Sequence, residues 1–461
     1  MKLTGPKTPH WLNIVQYVMD PLGFLDRTAK RYGDMFTLSG SLSTTDSKSV
    51  VVVSHPKANQ KIFTKPEEIT SPGELHQAMI PFAGENCLIV IDSSSHQHRR
   101  KLLMPSFHSK RLYTYGQSIC EITRKVISRY SSNQTFSAYA VLQEISLQII
   151  LENVLGLYQE GLRQQLRQRY LAYKKAISNP LIAIVIAFPA LRRDLGIWSP
   201  WGSFLRSKQQ VDELIYAQIT RCRQQNDSSQ SDILSLLISA QDESGESMTD
   251  DELCDDLRLL FFAGQETVAV AVAWALYWLH NHPETLEKLR QEIDDLGANP
   301  DPVEIARLPY LTAVFNETMR ISPIIPFASP RLAQVPIELA GYQLNSNTIL
   351  DCSIYLTHQR EDLYPEPKKF KPERFLERKF AYYEFLPFGG GMRGCIAQPL
   401  AEYEVKLILA TLVSHYELNL VNHRPERYRV EGTMLRPANG VQVKIASKRQ
   451  PQKRKMPQFM T

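Results

Sequence analysis

The stretch from Leu259 to Leu279 constrains this chain most. It is apolar almost without interruption and long enough to cross a bilayer. Yet Gln265, Glu266 and Thr267 sit at its middle, and an unpaired glutamate at mid-bilayer is costly. The reading that fits is a helix, Asp250–His282, hydrophobic nearly all round and buried through the centre of a large core. A chain of 461 residues, 43% hydrophobic and 22% charged, can supply such a core without covalent staples. The six cysteines are scattered, with no CxxC pair, which excludes a disulfide framework and the usual structural zinc spacing. Residues 1–24 contain Pro6, Pro9 and His10 and lack the layout of a secretory leader, so no transmembrane anchor is expected.

The net charge of +5 is poor evidence for nucleic-acid binding. Lys444, Lys448, Arg449, Lys453, Arg454 and Lys455 lie in one acid-free tail, and without those six cations the body carries one net negative charge. No nucleic-acid partner is expected, and residues 447–461 read as a basic disordered tail.

The texture is mainly α with a small β portion, an α+β class. One domain is expected over 1–461. Residues of about 1–80, 330–350 and 430–446 form its β-rich part, and 96–322 with 397–415 its helical part. Ser49–Ser54 reads as a buried strand paired with Tyr32–Leu38 as a hairpin. Helices are expected at Arg111–Tyr130, Glu160–Ile177, Ser203–Gln225, Pro283–Leu296, Leu308–Ile321 and Ala397–His415, and a late strand at Val441–Ile445.

The chemistry concentrates at Phe388-Gly-Gly-Gly-Met-Arg-Gly-Cys395. Four glycines within seven residues bring backbone close to something flat or bulky. Cys395 precedes the helix Ala397–His415, whose positive end favours a thiolate, either as metal ligand or as nucleophile. This segment resembles the haem-binding loop of the cytochrome P450 superfamily, Phe-x-x-Gly-x-Arg-x-Cys-x-Gly, with Ala397 in place of the last glycine. The resemblance implies the helical, triangular-prism fold of that family, Cys395 as the axial metal ligand, Phe388 packed near its sulfur, and Arg393 as a haem carboxylate partner.

Other segments match in the family's order. Glu317-Thr-Met-Arg320, with Arg374 in Lys-Pro-Glu-Arg-Phe, resembles its structural Glu–Arg–Arg triad. Glu266 and Thr267, after Ala263-Gly264, resemble the acid–alcohol pair that delivers protons for oxygen activation. His96 and Arg100, four apart on a helix, and Arg331 resemble further partners of the haem carboxylates.

The resemblance implies heme b (iron protoporphyrin IX), O2, and a monooxygenase acting on a C–H bond or alkene of a small hydrophobic substrate, a long-chain fatty acid or terpenoid. It further implies a ferredoxin or flavodoxin with its reductase, docking near Arg99, Lys101, Lys110 and Arg111, and a cytoplasmic location. Met79, Phe82, Leu88, Phe261, Phe262, Ala263, Ile324, Ile325, Phe327 and Met434 are expected to line the pocket, with 177–188 as a lid. An isomerase, dehydratase or peroxygenase on the same scaffold, or a haem sensor, would not need the Glu266–Thr267 pair.

Overall fold

In the computed structural model, which describes residues 3–42, 50–108, 110–187, 191–225, 232–422 and 424–449, the central apolar stretch is one helix of 32 residues, Asp250–Asn281. Among the helices are α1 (His10–Met19), α2 (Pro21–Tyr32), α3 (Pro56–Thr64), α4 (Ser93–His108), α5 (Gly116–Ile127), α6 (Ala138–Ile149), α7 (Glu160–Ile177), α8 (Pro200–Gln225), α9 (Asp250–Asn281), α10 (Pro309–Ile321) and α11 (Gln398–His415), and the expected Pro283–Leu296 helix is present as Pro283–Asp294.

Helix α9 starts on a capping box. Glu252 N–H donates to Thr249 Oγ1 (3.3 Å), and Thr249 N–H donates to the Glu252 carboxylate (2.9 Å), a device that stabilises a helix end by about 1 kcal/mol. Asp250, Asp251 and Glu252 add negative charge to its positive end. Packed against α6, α8, α10 and α11, the helix buries Val268 through Leu276 without a break. Among the described residues it is the one helix long and apolar enough to cross a membrane, and most of that stretch lies inside the protein.

The strands are β1 (Met35–Leu38), β2 (Val50–Val53), β3 (Ile69–Thr70), β4 (Thr135–Ser137), β5 (Arg331–Ala333), β6 (Ile337–Leu339), β7 (Tyr342–Leu344), β8 (Ile349–Cys352), β9 (Tyr416–Leu420), β10 (Tyr428–Glu431), β11 (Met434–Pro437) and β12 (Gln442–Lys448). The main sheet runs β1-β2-β8-β5-β3. The expected hairpin is its edge, with Phe36 opposite Val52. Strand β2 lies parallel to β8 and is buried at all four valines, which explains why it lacks polar alternation. A second sheet, β4-β12-β9, ties mid-chain to late chain.

The expected helix over Arg111–Tyr130 is interrupted. Lys110–Tyr115 is a 3₁₀ turn, and Gly116 opens α5 where a Cβ would lie 2.3 Å from Tyr403 Oη. The late strand extends to Lys448; the tail beyond 449 lies outside the described residues.

Candidate active site

One face of α9 presents Leu260, Ala263, Gly264, Thr267, Val268 and Ala271 to a cavity of about 600 Å³. Their spacing of three, four, seven, eight and eleven residues is a helical stripe. Thr267 Oγ1 donates to the Ala263 carbonyl (2.7 Å) and Ser146 Oγ to the Gly264 carbonyl (3.1 Å), so two carbonyls of this turn carry bonds from outside the helix ladder. A π-helical turn, Ile150–Val154, extends α6 and places Ile150 and Val154 in the cavity wall. Gly264 leaves room for this packing, since a Cβ there would lie 3.0 Å from Ile150 Cδ1.

The opposite wall is Pro387, Phe388, Gly389, Arg393, Cys395 and Ala397, continued by Leu400 and Ala401 of α11. Gly389 and Gly391 adopt φ of +71° and +65°, the left-handed region that glycine takes without strain. A Cβ on Gly390 would meet Phe63 Cδ2 of α3 at 2.7 Å. Cys395 N–H donates to the Phe388 carbonyl (2.9 Å), closing the loop, and the Cys395 side chain opens into the cavity. Burial pushes its thiol up; the Ala397 and Gln398 N–H groups and Arg100 oppose this.

The loop rests on a buried charge network. The Glu317 carboxylate accepts from Arg320 Nε and Nη2 (2.7 and 2.8 Å), Lys371 N–H (2.8 Å) and Arg374 Nε (3.2 Å). Arg320 also donates to the carbonyls of His358, Pro367 and Lys369. This ties α10 to the meander that leads into the cysteine loop.

Against the cysteine loop stand cationic groups with little to balance them; Arg393 lines the cavity, while His96, Arg100 and Arg331 are not among its lining residues. Arg331 is buried and, among the described residues, donates to Ser71 Oγ and to the carbonyls of Ser329, Pro330 and Gly390. Arg393 donates to the carbonyls of Ser71, Leu88, Ile89 and Ile91. Arg100 donates to the Gly394 carbonyl. Burial holds Arg331 and Arg393 down to about 10. Burial, with Arg393 next, takes His96 to about 3, and its buried Nδ1 has no partner among the described residues. The nearby acid is Asp92, 3.8 Å from Arg393. Such a cluster is costly until an anion joins it. A thiol facing a slot, glycines without Cβ atoms and a margin of uncompensated cations fit a flat, metal-bearing, doubly carboxylated ring. Haem is such a group.

Comparison with known proteins bears on this. The family model described as Cytochrome P450 matches residues 4–445. The chain belongs to the cytochrome P450 family. Its fold is the P450 fold, and it is a haem-thiolate monooxygenase. It is 30% identical over 446 residues to cytochrome P450 135B1 of Mycobacterium tuberculosis, covering 96% of this chain and 91% of that protein. It is 28% identical over 444 residues to cytochrome P450 138 of Mycobacterium bovis, covering 95% and 94%. Among solved structures, retinoic acid bound cyanobacterial CYP120A1 aligns with a TM-score of 0.81 at 23% identity, over 97% of this chain and 99% of that one. The P450DA heme domain aligns with a TM-score of 0.83 at 18% identity, over 98% of each.

The P450 cavity is lined by Met79, Ala263, Ile324, Ile325 and Phe327 of the expected pocket residues, and by Thr267, Phe388, Arg393 and Cys395. Phe82, Leu88, Phe261, Phe262 and Met434 are not among the lining residues. Phe82 packs edge-on against Phe204. Leu88 is held by its N–H to Asp256 (2.8 Å). Phe261 is fully buried against Tyr170. Phe262 packs on the main core and Met434 is buried in it.

Glu266 also faces away from the cavity. Its buried carboxylate accepts from Gln143 Nε2 (2.9 Å to each oxygen) and contacts Tyr139 Oη and Lys174 Nζ. Arg99, expected on a docking surface, is buried against Asp256 and Glu252, so it cannot meet a partner. Lys101 is exposed; the side chains of Lys110 and Arg111 lie outside the described residues. In the expected lid, Pro180–Ala187 is a helix with Ile182 buried and Leu181 exposed.

His76 was not singled out by sequence. It lines the cavity, sits 2.9 Å from Ser329 Oγ through Nε2, and is taken to about 4 by burial, Arg393 and Arg331. A lone histidine in a short 3₁₀ turn carries no signal; only the fold brings it to the cations.

Proposed function

We propose that this P450 inserts one oxygen atom from O2 into a C–H bond or alkene of a hydrophobic substrate, a long-chain fatty acid or terpenoid. The observation that carries this reading is the α9 stripe. It sets the Thr267 hydroxyl among Leu260, Ala263, Val268 and Ala271, across a predominantly apolar cavity from Cys395. Retinoic acid, the ligand named for the cyanobacterial structure, is an apolar acid of similar chemistry.

In this reading Cys395 would hold the iron of heme b, His96, Arg100, Arg331 and Arg393 would serve its two carboxylates, and Phe388 would pack near the cysteine. Bound haem would supply the electron-rich iron on which dioxygen is activated. The apolar walls exclude water from the reacting centre. Thr267 Oγ1 holds a proton beside the substrate. Glu266, bonded to Gln143, Tyr139 and Lys174 away from the cavity, acts structurally in this reading, by tying α9 to α6 and α7. Glu317, Arg320 and Arg374 act structurally, by locking the meander.

Electrons reach the protein from a ferredoxin or flavodoxin with its reductase, and exposed Lys101 suits an acidic carrier. Six free cysteines suit the reducing cytoplasm.

The test is a panel of fatty acids and terpenoids, scored by the optical spin-state change on binding and by ¹⁸O incorporation from ¹⁸O2. Labelled product from one class supports the reading; unlabelled product, or binding confined to small polar compounds, counts against it.

A further inference from the structure

Two polar side chains stand in an otherwise apolar part of the cavity wall. His76 and Ser329 both line it, and so do their chain neighbours Leu75, Met79, Phe327 and Ala328. The His76 ring meets Ser329 Oγ through Nε2. Its second nitrogen, Nδ1, has no partner among the described residues. A neutral imidazole carries one N–H and one lone pair. Whichever of these Nε2 spends on Ser329, Nδ1 keeps the other. The serine can serve either tautomer, because its Oγ also lies 3.4 Å from Ser71 Oγ. The ring therefore offers the cavity a donor or an acceptor, and a nitrogen left dry and unpaired is costly. A ligand oxygen is the group that would complete it.

Charge decides which kind of oxygen. Arg393, Arg331 and Asp92 all act electrostatically on His76, and Arg100 acts with the two arginines on His96. Three guanidiniums against one carboxylate leave two net positive charges. The two carboxylates of haem would cancel both. Nothing then remains for a third anion, which would lose its water beside two like charges. His76 supplies no compensating charge, since burial, then Arg393 and Arg331, hold it down to about 4. Glu404, also in the wall, is pushed by burial to about 8, so it too is uncharged at neutral pH. A hydroxyl or carbonyl satisfies Nδ1 without adding charge; a carboxylate does not.

We propose, resting on the hydrophobic-substrate reading above, that His76, oriented by Ser329, is the specificity-determining anchor for an uncharged substrate oxygen, and that the substrate is an alcohol, aldehyde or ketone of terpenoid type rather than a fatty-acid anion.

The test is equilibrium dialysis of the haem-loaded protein at neutral pH against farnesene, farnesol and farnesoate, which share one carbon skeleton, and against dodecanoate. The optical spin-state change is a second reading. Farnesol should bind at least about tenfold tighter than farnesene and than either anion. His76→Phe removes both ring nitrogens and should bring farnesol to within roughly twofold of farnesene. His76→Gln keeps a donor and an acceptor and should hold most of the preference. Ser329→Ala should lower it about threefold. Haem content and circular dichroism should match wild type in all three variants. The proposal is overturned by farnesol that binds no better than farnesene or not at all, by an anion that binds tighter than the alcohol, or by a preference that survives His76→Phe. Incorporation of ¹⁸O is scored separately: farnesol held through His76 but giving no labelled product would sink the oxygenase reading and leave the anchor standing.

Discussion

Replacing Glu317 with glutamine tests whether the cysteine loop depends on the charge network beneath it. Glu317 and Arg320 are both wholly buried. The carboxylate takes four donors: two from Arg320, one from Arg374 and the Lys371 N–H. Glutamine offers one carbonyl oxygen with two lone pairs and turns an NH2 group toward the remaining donors. Two guanidiniums then lie buried with no anion. Breaking a buried pair from one side costs about 3–5 kcal/mol, a large part of a total stability of roughly 5–15 kcal/mol. Arg320→Met should cost a comparable amount for a different reason, because the carbonyls of His358, Pro367 and Lys369 lose their donor. The double variant should cost less than the sum of the two, since each change removes the other's unpaired partner. The assay is urea denaturation followed at the haem absorption band, with haem content after purification as a second reading. The loss of binding should precede global unfolding, because the network anchors the meander next to the loop. Wild-type haem content and an unshifted midpoint in Glu317→Gln would refute the reasoning.

Thr267→Ala should redirect electrons from product to peroxide, lowering product per electron consumed by roughly a hundredfold or less, while Thr267→Ser keeps coupling; unaltered coupling in the alanine variant would remove Thr267 from the relay. Arg331→Met should speed the transfer of haem to an apo-globin acceptor roughly tenfold or more, and the effect should vanish with haem whose carboxylates are esterified. Asp256, which accepts from Leu88 N–H and Arg99, is pushed from 3.8 up to about 6 by burial, with those two contacts opposing. Between these values the folded chain holds a proton that the unfolded chain has lost, so stability falls as pH rises through that window. The stability difference between wild type and Asp256→Asn should therefore shrink or reverse from acid toward pH 6, and a difference independent of pH would exclude this linkage.

What could be read from sequence and what could not divides along a physical line. Local rules reached the helix around Leu259–Leu279, the four valines of β2 and the glycine loop, because propensity and left-handed glycine conformations act over a few residues. The α9 pocket residues show where such reading stopped short. Phe261 and Phe262 are large and apolar, which suggested a pocket role, but side-chain identity says nothing of azimuth. Adjacent helical residues point about 100° apart, so the face that carries Thr267 selects Leu260, Ala263, Gly264, Val268 and Ala271 and turns Phe261 and Glu266 elsewhere. That spacing was present in the sequence and needed only Thr267 as its origin. His76, Ile150 and the Asp256–Arg99 pair were not accessible by any such rule, since each takes its meaning from residues more than a hundred positions away or from a π-helical turn with no composition of its own. Helix α1 inverts the usual inference altogether. Its apolar spacing predicts a buried face, yet Tyr17, packed on Phe24 and Phe327, and Asn13, bonded to Ser39 across 26 residues, lie on the inner side and leave that face turned out.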